Sequence, residues 1–154
     1  MPLLFSRVAI VGTGLIGGSF ALAVRSALGG ARIVGWDRPE VMARATARSV
    51  VDECRPALAD AVSGADLIFV ALPVAATIEL LPEIARHAAP GALVTDAAST
   101  KRAVCTAAQA CFAPLGDKGA RFLGGHPMAG NEGSGLDAAD RTLFRGAKYA
   151  LIDM

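Results

Sequence analysis

Arg7-Val8-Ala9-Ile10-Val11-Gly12-Thr13-Gly14-Leu15-Ile16-Gly17-Gly18 is the stretch whose reading decides the fold. Val8 to Val11 form an unbroken apolar run, as expected of a strand covered on both faces. Gly12, Gly14 and Gly17 follow at the spacing G-x-G-x-x-G, and the Ala-rich run Ser19 to Leu28 predicts a helix. The three glycines allow a tight turn, close approach of backbone to a pyrophosphate, and close helix–strand contact. The helix start offers that pyrophosphate unpaired N–H groups and the positive end of a dipole.

Working outward, Arg32 to Asp37 reads as a second strand, and Asp37 falls about 20 residues after Gly17. A carboxylate there binds the ribose hydroxyls of an adenosine; the alternative is a carboxylate that only caps the next helix. Gly12, Thr13, Gly14, Leu15, Ile16, Gly17, Asp37 and Arg38 are therefore candidate cofactor contacts. The Asp37 carboxylate favours NAD over NADP, because a 2′-phosphate would bring negative charges together. Arg38 is the one neighbour that could accommodate that phosphate.

Further along, Pro39 to Arg48 suits a helix with proline in its first turn. Val50 to Cys54 reads as a short edge strand and Pro56 to Val62 as a short helix. Asp66 to Pro73 is a buried strand stopped by proline. Ala75 to His87 carries Ile78, Leu81, Ile84 and Ala85 at helical spacing, with an interruption expected near Pro82. Gly91 to Thr95 predicts a strand, Lys101 to Phe112 a helix, Arg121 to Leu123 a short strand and Lys148 to Ile152 a last one. Gly124 to Gly135 reads as a polar, glycine-rich loop. Strands alternating with helices predict an α/β domain with a doubly wound, mainly parallel sheet of the Rossmann type, one domain over residues 1–154. In such sheets ligands gather at the carboxyl ends of the strands. Asp37, Leu72-Pro73, Asp96 to Ser99 and Gly124 to His126 all fall there, which adds Leu72 and Pro73 to the candidate cofactor contacts.

Composition excludes other classes. With 53% apolar and 19% charged residues the chain is not a disordered one. A net charge of +1 provides no electrostatic case for nucleic acid. No apolar run reaches the roughly 18 residues that span a bilayer. The opening residues lead straight into the first strand and are read as part of the domain, not as a leader. Cys54, Cys105 and Cys111 lack C-x-x-C spacing and lie far from His87 and His126 as ligand sets go. No metal site or disulfide framework is expected, and a reducing cytoplasm fits.

The second unusual stretch is Gly124-Gly125-His126-Pro127-Met128-Ala129-Gly130-Asn131-Glu132-Gly133-Ser134-Gly135. A histidine between glycine and proline at a strand end suits general acid–base work near neutral pH, or else only bonds the loop backbone. His87, near a helix C-terminus, reads as a solvated cation site.

Three blocks in this order, Gly12 to Ser19, Thr95-Asp96-Ala97-Ala98-Ser99-Thr100-Lys101 and Gly125 to Gly135, resemble the prephenate/arogenate (cyclohexadienyl) dehydrogenase family of tyrosine biosynthesis. The resemblance covers nearly the whole chain. It implies NAD-dependent oxidative decarboxylation, in which hydride leaves the ring carbon bearing the hydroxyl and loss of the ring carboxylate yields a phenol. It implies that His126 accepts a hydrogen bond from that hydroxyl and helps remove its proton, and that Ser99 bonds the same hydroxyl beside the nicotinamide. Asn131, Glu132 and Gly133 become substrate contacts. Ala98 and Asn131 depart from the Gly and Thr that members often carry. The resemblance also implies a following helical domain that supplies dimer contacts and an arginine for a substrate carboxylate. The chain is thus expected to be the cofactor half of a homodimeric enzyme. Two other readings are another NAD(P)-dependent dehydrogenase of the same superfold and a non-catalytic nucleotide-binding module; neither needs the His126 loop.

Overall fold

A computed structural model describes residues 4–154; residues 1–3, read above as part of the domain, lie outside the described residues. Seven strands form one sheet: β1 (Arg7–Val11), β2 (Arg32–Trp36), β3 (Glu53–Cys54), β4 (Leu67–Val70), β5 (Leu93–Asp96), β6 (Arg121–Pro127) and β7 (Tyr149–Ile152). Their order is β3-β2-β1-β4-β5-β6-β7, parallel throughout except that β7 runs antiparallel to β6. The reversal of direction between β2-β3 and β4-β5 falls at β1, the switch point where doubly wound sheets bind ligands.

Among the described residues five α-helices connect the strands: α1 (Leu15–Ala27), α2 (Pro39–Ala47), α3 (Leu58–Val62), α4 (Val74–His87) and α5 (Arg102–Phe112). Because the central strands are apolar at consecutive positions, each feeds both faces. Val8, Ile10, Ile33 and Phe69 meet α1 and α2 on one side, where Phe20 stacks on Phe69 with ring centroids 3.9 Å apart. Ala9, Val11, Ile68, Val70 and Val94 meet Leu58 of α3, Leu81 and Ile84 of α4, and Val104 and Phe112 of α5 on the other. Each large side chain buried this way contributes about 1.5–3 kcal/mol of hydrophobic free energy.

The structure corrects several expected boundaries. Helix α1 starts at Leu15, four residues before the Ala-rich run, because Gly17 is tolerated where the helix must lie close to β1 and its turn, and Gly18 where Leu136 and Ala139 cross it. Only Glu53–Cys54 of the expected edge strand Val50 to Cys54 pairs with β2, and α3 begins at Leu58 rather than Pro56. Helix α4 runs without a break through Pro82, whose missing N–H removes one bond while buried Leu81, Ile84 and Ala85 hold the turn to the core. The largest correction concerns residues 124–127. They are not loop but the second half of β6, paired with β7 in the register Gly124↔Ile152, Gly125↔Leu151, His126↔Ala150 and Pro127↔Tyr149.

Candidate nucleotide and active site

The turn after β1 is built by steric necessity. Gly12 has φ of +94°, and a Cβ on it would lie 2.5 Å from the Ala71 carbonyl oxygen. A Cβ on Gly17 would lie 1.7 Å from the Gly12 carbonyl oxygen, so α1 can approach the turn this closely only with glycine there. At Gly14 a Cβ would meet nothing within 4 Å. Helix α1 opens onto that free space with no side-chain cap and no acidic residue in its first turn. An uncapped helix start behind open space fits a pyrophosphate.

Asp37, at the end of β2, is half-buried and turned toward the glycine turn. Thr13 donates to its Oδ2 twice, from the backbone N at 2.7 Å and from Oγ1 at 3.2 Å, and the Arg38 N–H donates to Oδ1 at 2.7 Å. The Asp37 carboxylate makes no side-chain cap of α2; it links β2 to the turn after β1. Arg38 itself is exposed, its Nε 3.9 Å from Asp37 and 3.7 Å from Glu40. Beside them lies a slot of about 430 Å³ walled by Trp36, Met42, Pro56, Leu72, Ala76 and Leu80. Its walls are almost wholly apolar and it abuts the Asp37 carboxylate, which suits the planar base of a nucleotide. Leu72 is one wall of this slot, and Pro73 directly precedes α4. A larger cavity of about 640 Å³ lies by Phe112, Phe122 and Leu151, reached from the first residues of β5 and β6. It is at the opposite end of the strands from every candidate residue.

Across the switch point, β5 ends in Asp96, which is fully buried. Its Oδ1 accepts from the Gly125 N–H at 3.0 Å and its Oδ2 from the Ala98 N–H at 3.0 Å. Lys101, just before α5, donates to Asp96 Oδ2 and, at 2.6 Å, to the Gly125 carbonyl oxygen. Both peptide groups of Gly125 are thus anchored, and the next residue is His126. His126 is half-buried, and among the described residues its ring has no hydrogen-bond partner, so it does not spend itself on the loop backbone. Ser99, between β5 and α5, is exposed and equally unpartnered among the described residues. Asn131 is not free: its Oδ1 accepts from the Gly133 N–H at 2.8 Å and closes a turn, with Glu132 exposed at its apex.

Beyond that turn the chain returns across α1. Leu136 and Ala139 would each lie within about 3.2 Å of a Cβ on Gly18, and the Asp140 N–H donates to buried Ser19 Oγ at 2.9 Å. Asp137 pairs with Arg44 on α2 and, at 2.7 Å, with Arg48 just after it, and these cations hold its carboxyl below the usual range. Phe144 meets Phe20 edge to face. This strap ties the segment after His126 to the helices flanking the glycine turn. Neither the strap nor Tyr149 is visible as part of the site from the sequence. Burial pushes the Tyr149 phenol up to about 12; the nearby Thr95 hydroxyl works against that rise and the Asp96 charge adds to it. Thr95 Oγ1 is buried and, among the described residues, meets no partner at good hydrogen-bonding geometry.

The strand order, the glycine turn and the carboxylate it holds define a Rossmann-type dinucleotide-binding domain. Comparison with known proteins narrows the class. The chain belongs to the family described as the nucleotide-binding domain of prephenate dehydrogenase, which it matches over residues 20–154. It is 41% identical to the prephenate dehydrogenase of Lactococcus lactis subsp. cremoris over 148 residues, 96% of this chain and 41% of that relative. Among solved structures it resembles prephenate dehydrogenase from A. aeolicus, determined with hydroxyphenyl propionate and NAD+ (TM-score 0.88, 29% identity, 100% of this chain and 52% of that one). It also resembles Synechocystis arogenate dehydrogenase (TM-score 0.83, 34% identity, 94% of this chain and 49% of that one). The chain spans about two fifths to half the length of these relatives. The family match begins after the glycine turn, whereas the Lactococcus alignment reaches over nearly the whole chain.

Proposed function

We propose that this domain binds NAD and forms the cofactor half of a cytoplasmic, homodimeric enzyme of tyrosine biosynthesis that oxidatively decarboxylates prephenate or arogenate. One observation carries the reading: His126, unpartnered among the described residues and held through Gly125, leaves the same edge of the sheet as the glycine turn and Asp37.

The pyrophosphate would lie at the start of α1, the adenosine ribose at Asp37 and the adenine in the slot between Trp36 and Leu72. Bound there, NAD+ supplies the hydride acceptor. His126 takes the proton of the ring hydroxyl as hydride leaves the same carbon, and Ser99 orients that hydroxyl with a hydrogen bond. Loss of the ring carboxylate as CO2 leaves its electron pair in the ring, which becomes aromatic, and the phenolate oxygen so formed takes back the proton held by His126. Aromatisation provides driving force, so the protein's work is to orient donor, acceptor and base. Glu132 and Gly133, on the turn that Asn131 closes, would contact the substrate. A second, helical domain would complete the substrate pocket and the dimer.

Calorimetry with NAD+ and a steady-state assay with prephenate test this on the chain itself. Expected are binding of NAD+ and little or no turnover. Failure to bind NAD+ would overturn the cofactor assignment, and full turnover by this chain alone would overturn the two-domain reading.

A further inference from the structure

We infer that Thr13 is a positioning residue for cofactor choice: its hydroxyl fixes Asp37 so that the carboxylate cannot turn aside for a 2′-phosphate. This deepens the NAD reading above and rests on it.

The end of β2 carries two opposed groups. Asp37, which repels a 2′-phosphate, is followed directly by Arg38, which would attract one. Arg38 is 76% exposed and sits 3.9 Å from Asp37, so it is free to reorient toward solvent or ligand. Which residue governs the site then depends on whether the Asp37 side chain stays between Arg38 and the ribose. An aspartate on a strand end has few barriers to rotation about its side chain, and a phosphate paired with Arg38 would reward a carboxylate that moved away.

Thr13 removes that freedom. It is completely buried, yet its two donors both point at one atom, Asp37 Oδ2. The backbone donor would be there with any residue at position 13. The hydroxyl is what this side chain adds, and a second donor at an angle to the first defines the orientation of the carboxylate rather than only its proximity. The hydroxyl is itself held in place, since the Thr13 methyl packs 3.3 Å from where a Cβ on Gly35 would be. Gly35 lies on β2 two residues before Asp37, so the methyl is lodged against the same strand whose end it orients. With Oδ2 held by Thr13 and Oδ1 by the Arg38 N–H, swinging the carboxylate aside breaks three hydrogen bonds to a charged acceptor at once.

The test is a comparison of NAD+ and NADP+ affinities by calorimetry for the chain as it stands and for Thr13→Val, Thr13→Ala, Thr13→Ser, Asp37→Ser and the double variant Thr13→Val with Asp37→Ser. Thermal melts accompany each, and Thr13→Ala serves if the valine variant folds poorly. Removing the hydroxyl should shrink the NAD+ to NADP+ affinity ratio about tenfold, the order expected from one hydrogen bond to a charged group. Thr13→Ser, which keeps the hydroxyl, should leave the ratio within about twofold. In the Asp37→Ser background, Thr13→Val should no longer change the ratio. An unchanged ratio in both Thr13→Val and Thr13→Ala overturns the proposal. So does an equal change with Asp37 absent, or a serine variant that behaves like valine, which would point to the methyl alone. If the unmodified chain binds neither nucleotide, the cofactor reading fails first and this proposal falls with it. Binding of NAD+ with an indifferent ratio rejects the proposal by itself.

Discussion

Lys101 and Asp96 form an ion pair in which the carboxylate has no exposure to solvent and the lysine side chain only 17%. The lysine also donates to the Gly125 carbonyl, so the pair joins β5, the start of α5 and β6 at the residue before His126. A buried carboxylate stripped of its cation is expensive, because Coulomb attraction that offset desolvation is lost while the desolvation remains. Lys101→Met should therefore destabilise the domain by about 3–5 kcal/mol. For a chain of this size that corresponds to a fall in Tm of about 6–20 °C, measurable by calorimetry or circular dichroism. A change under about 1 kcal/mol would mean that the two N–H donors of Ala98 and Gly125 suffice to hold Asp96.

The glycine turn separates folding from binding. Gly17→Ala forces a methyl into the Gly12 carbonyl, 1.7 Å away, so both stability and NAD+ affinity should drop. The stability loss should be about 1–3 kcal/mol, as for other overpacked sites. Gly14→Ala places its methyl in open space and should alter stability by no more than about 0.5 kcal/mol. It should still weaken NAD+ binding at least about tenfold, since the methyl occupies the path of the pyrophosphate. Melts and NAD+ titrations of the two variants, side by side, check this; a Gly14→Ala domain that binds normally would move the pyrophosphate elsewhere.

Tyr149 makes a prediction for alkaline solution. An unfolded chain releases the phenolic proton near the ordinary value of 10, whereas the folded domain keeps it to about 12. Between those values the folded state holds a proton that the unfolded state has lost, so this group's contribution moves with pH only in that window. Its folded pKa is raised because the phenolate, partly desolvated on a residue that is still 37% exposed, is disfavoured, so stability falls as pH rises from about 10 to about 12. Below that window the group contributes no slope. Urea midpoints at pH 9, 10 and 11 should decline less steeply for Tyr149→Phe than for the unmodified domain. Parallel slopes would show that the phenol is not shielded by β6 and β7.

What the sequence made legible was whatever depended on neighbours along the chain. Val8–Val11 and Leu67–Val70 read as strands because burial on both faces demands uninterrupted apolar residues. Gly12, Gly14 and Gly17 read as a turn because their spacing between a strand and a helix suits a backbone that must pass close to its neighbours. Contacts between distant segments were not legible. Nothing local to Gly124, Gly125 and His126 signals a strand; they are extended because β7, more than twenty residues later, pairs with them. The Thr13–Asp37 and Lys101–Gly125 bonds follow from β1 lying beside β2 and β5 beside β6. Helix α1 hid its first turn behind Gly17 and Gly18, residues of poor helix propensity that are there for close packing. Asn131 reads as a ligand contact from its motif, while its side-chain oxygen is engaged in the turn at Gly133.

The role given to His126 is open to the most direct trial, in a full-length protein that contains this domain. His126→Asn keeps much of the size of the imidazole and can still hydrogen-bond a substrate hydroxyl, but it cannot take up a proton near neutral pH. Turnover should fall about a hundredfold or more, the usual range for loss of a general base. Affinity for NAD+ should change little, because the turn at Gly12–Gly17 and the Thr13–Asp37 pair follow β1 and β2, not β6, and keep their bonds. His126 has no hydrogen bond to lose among the described residues, and Gly125 is anchored by Asp96 and Lys101 whatever follows it. A fall in rate would therefore report chemistry rather than a collapsed site, and the melting temperature should stay within a few degrees of the unmodified protein. The acid limb of the pH–rate profile, where protonation of the base stops the reaction, should disappear in the variant. Near-normal turnover with an unchanged profile would make His126 a packing residue of β6 and send the search for the base to the other groups at this edge of the sheet.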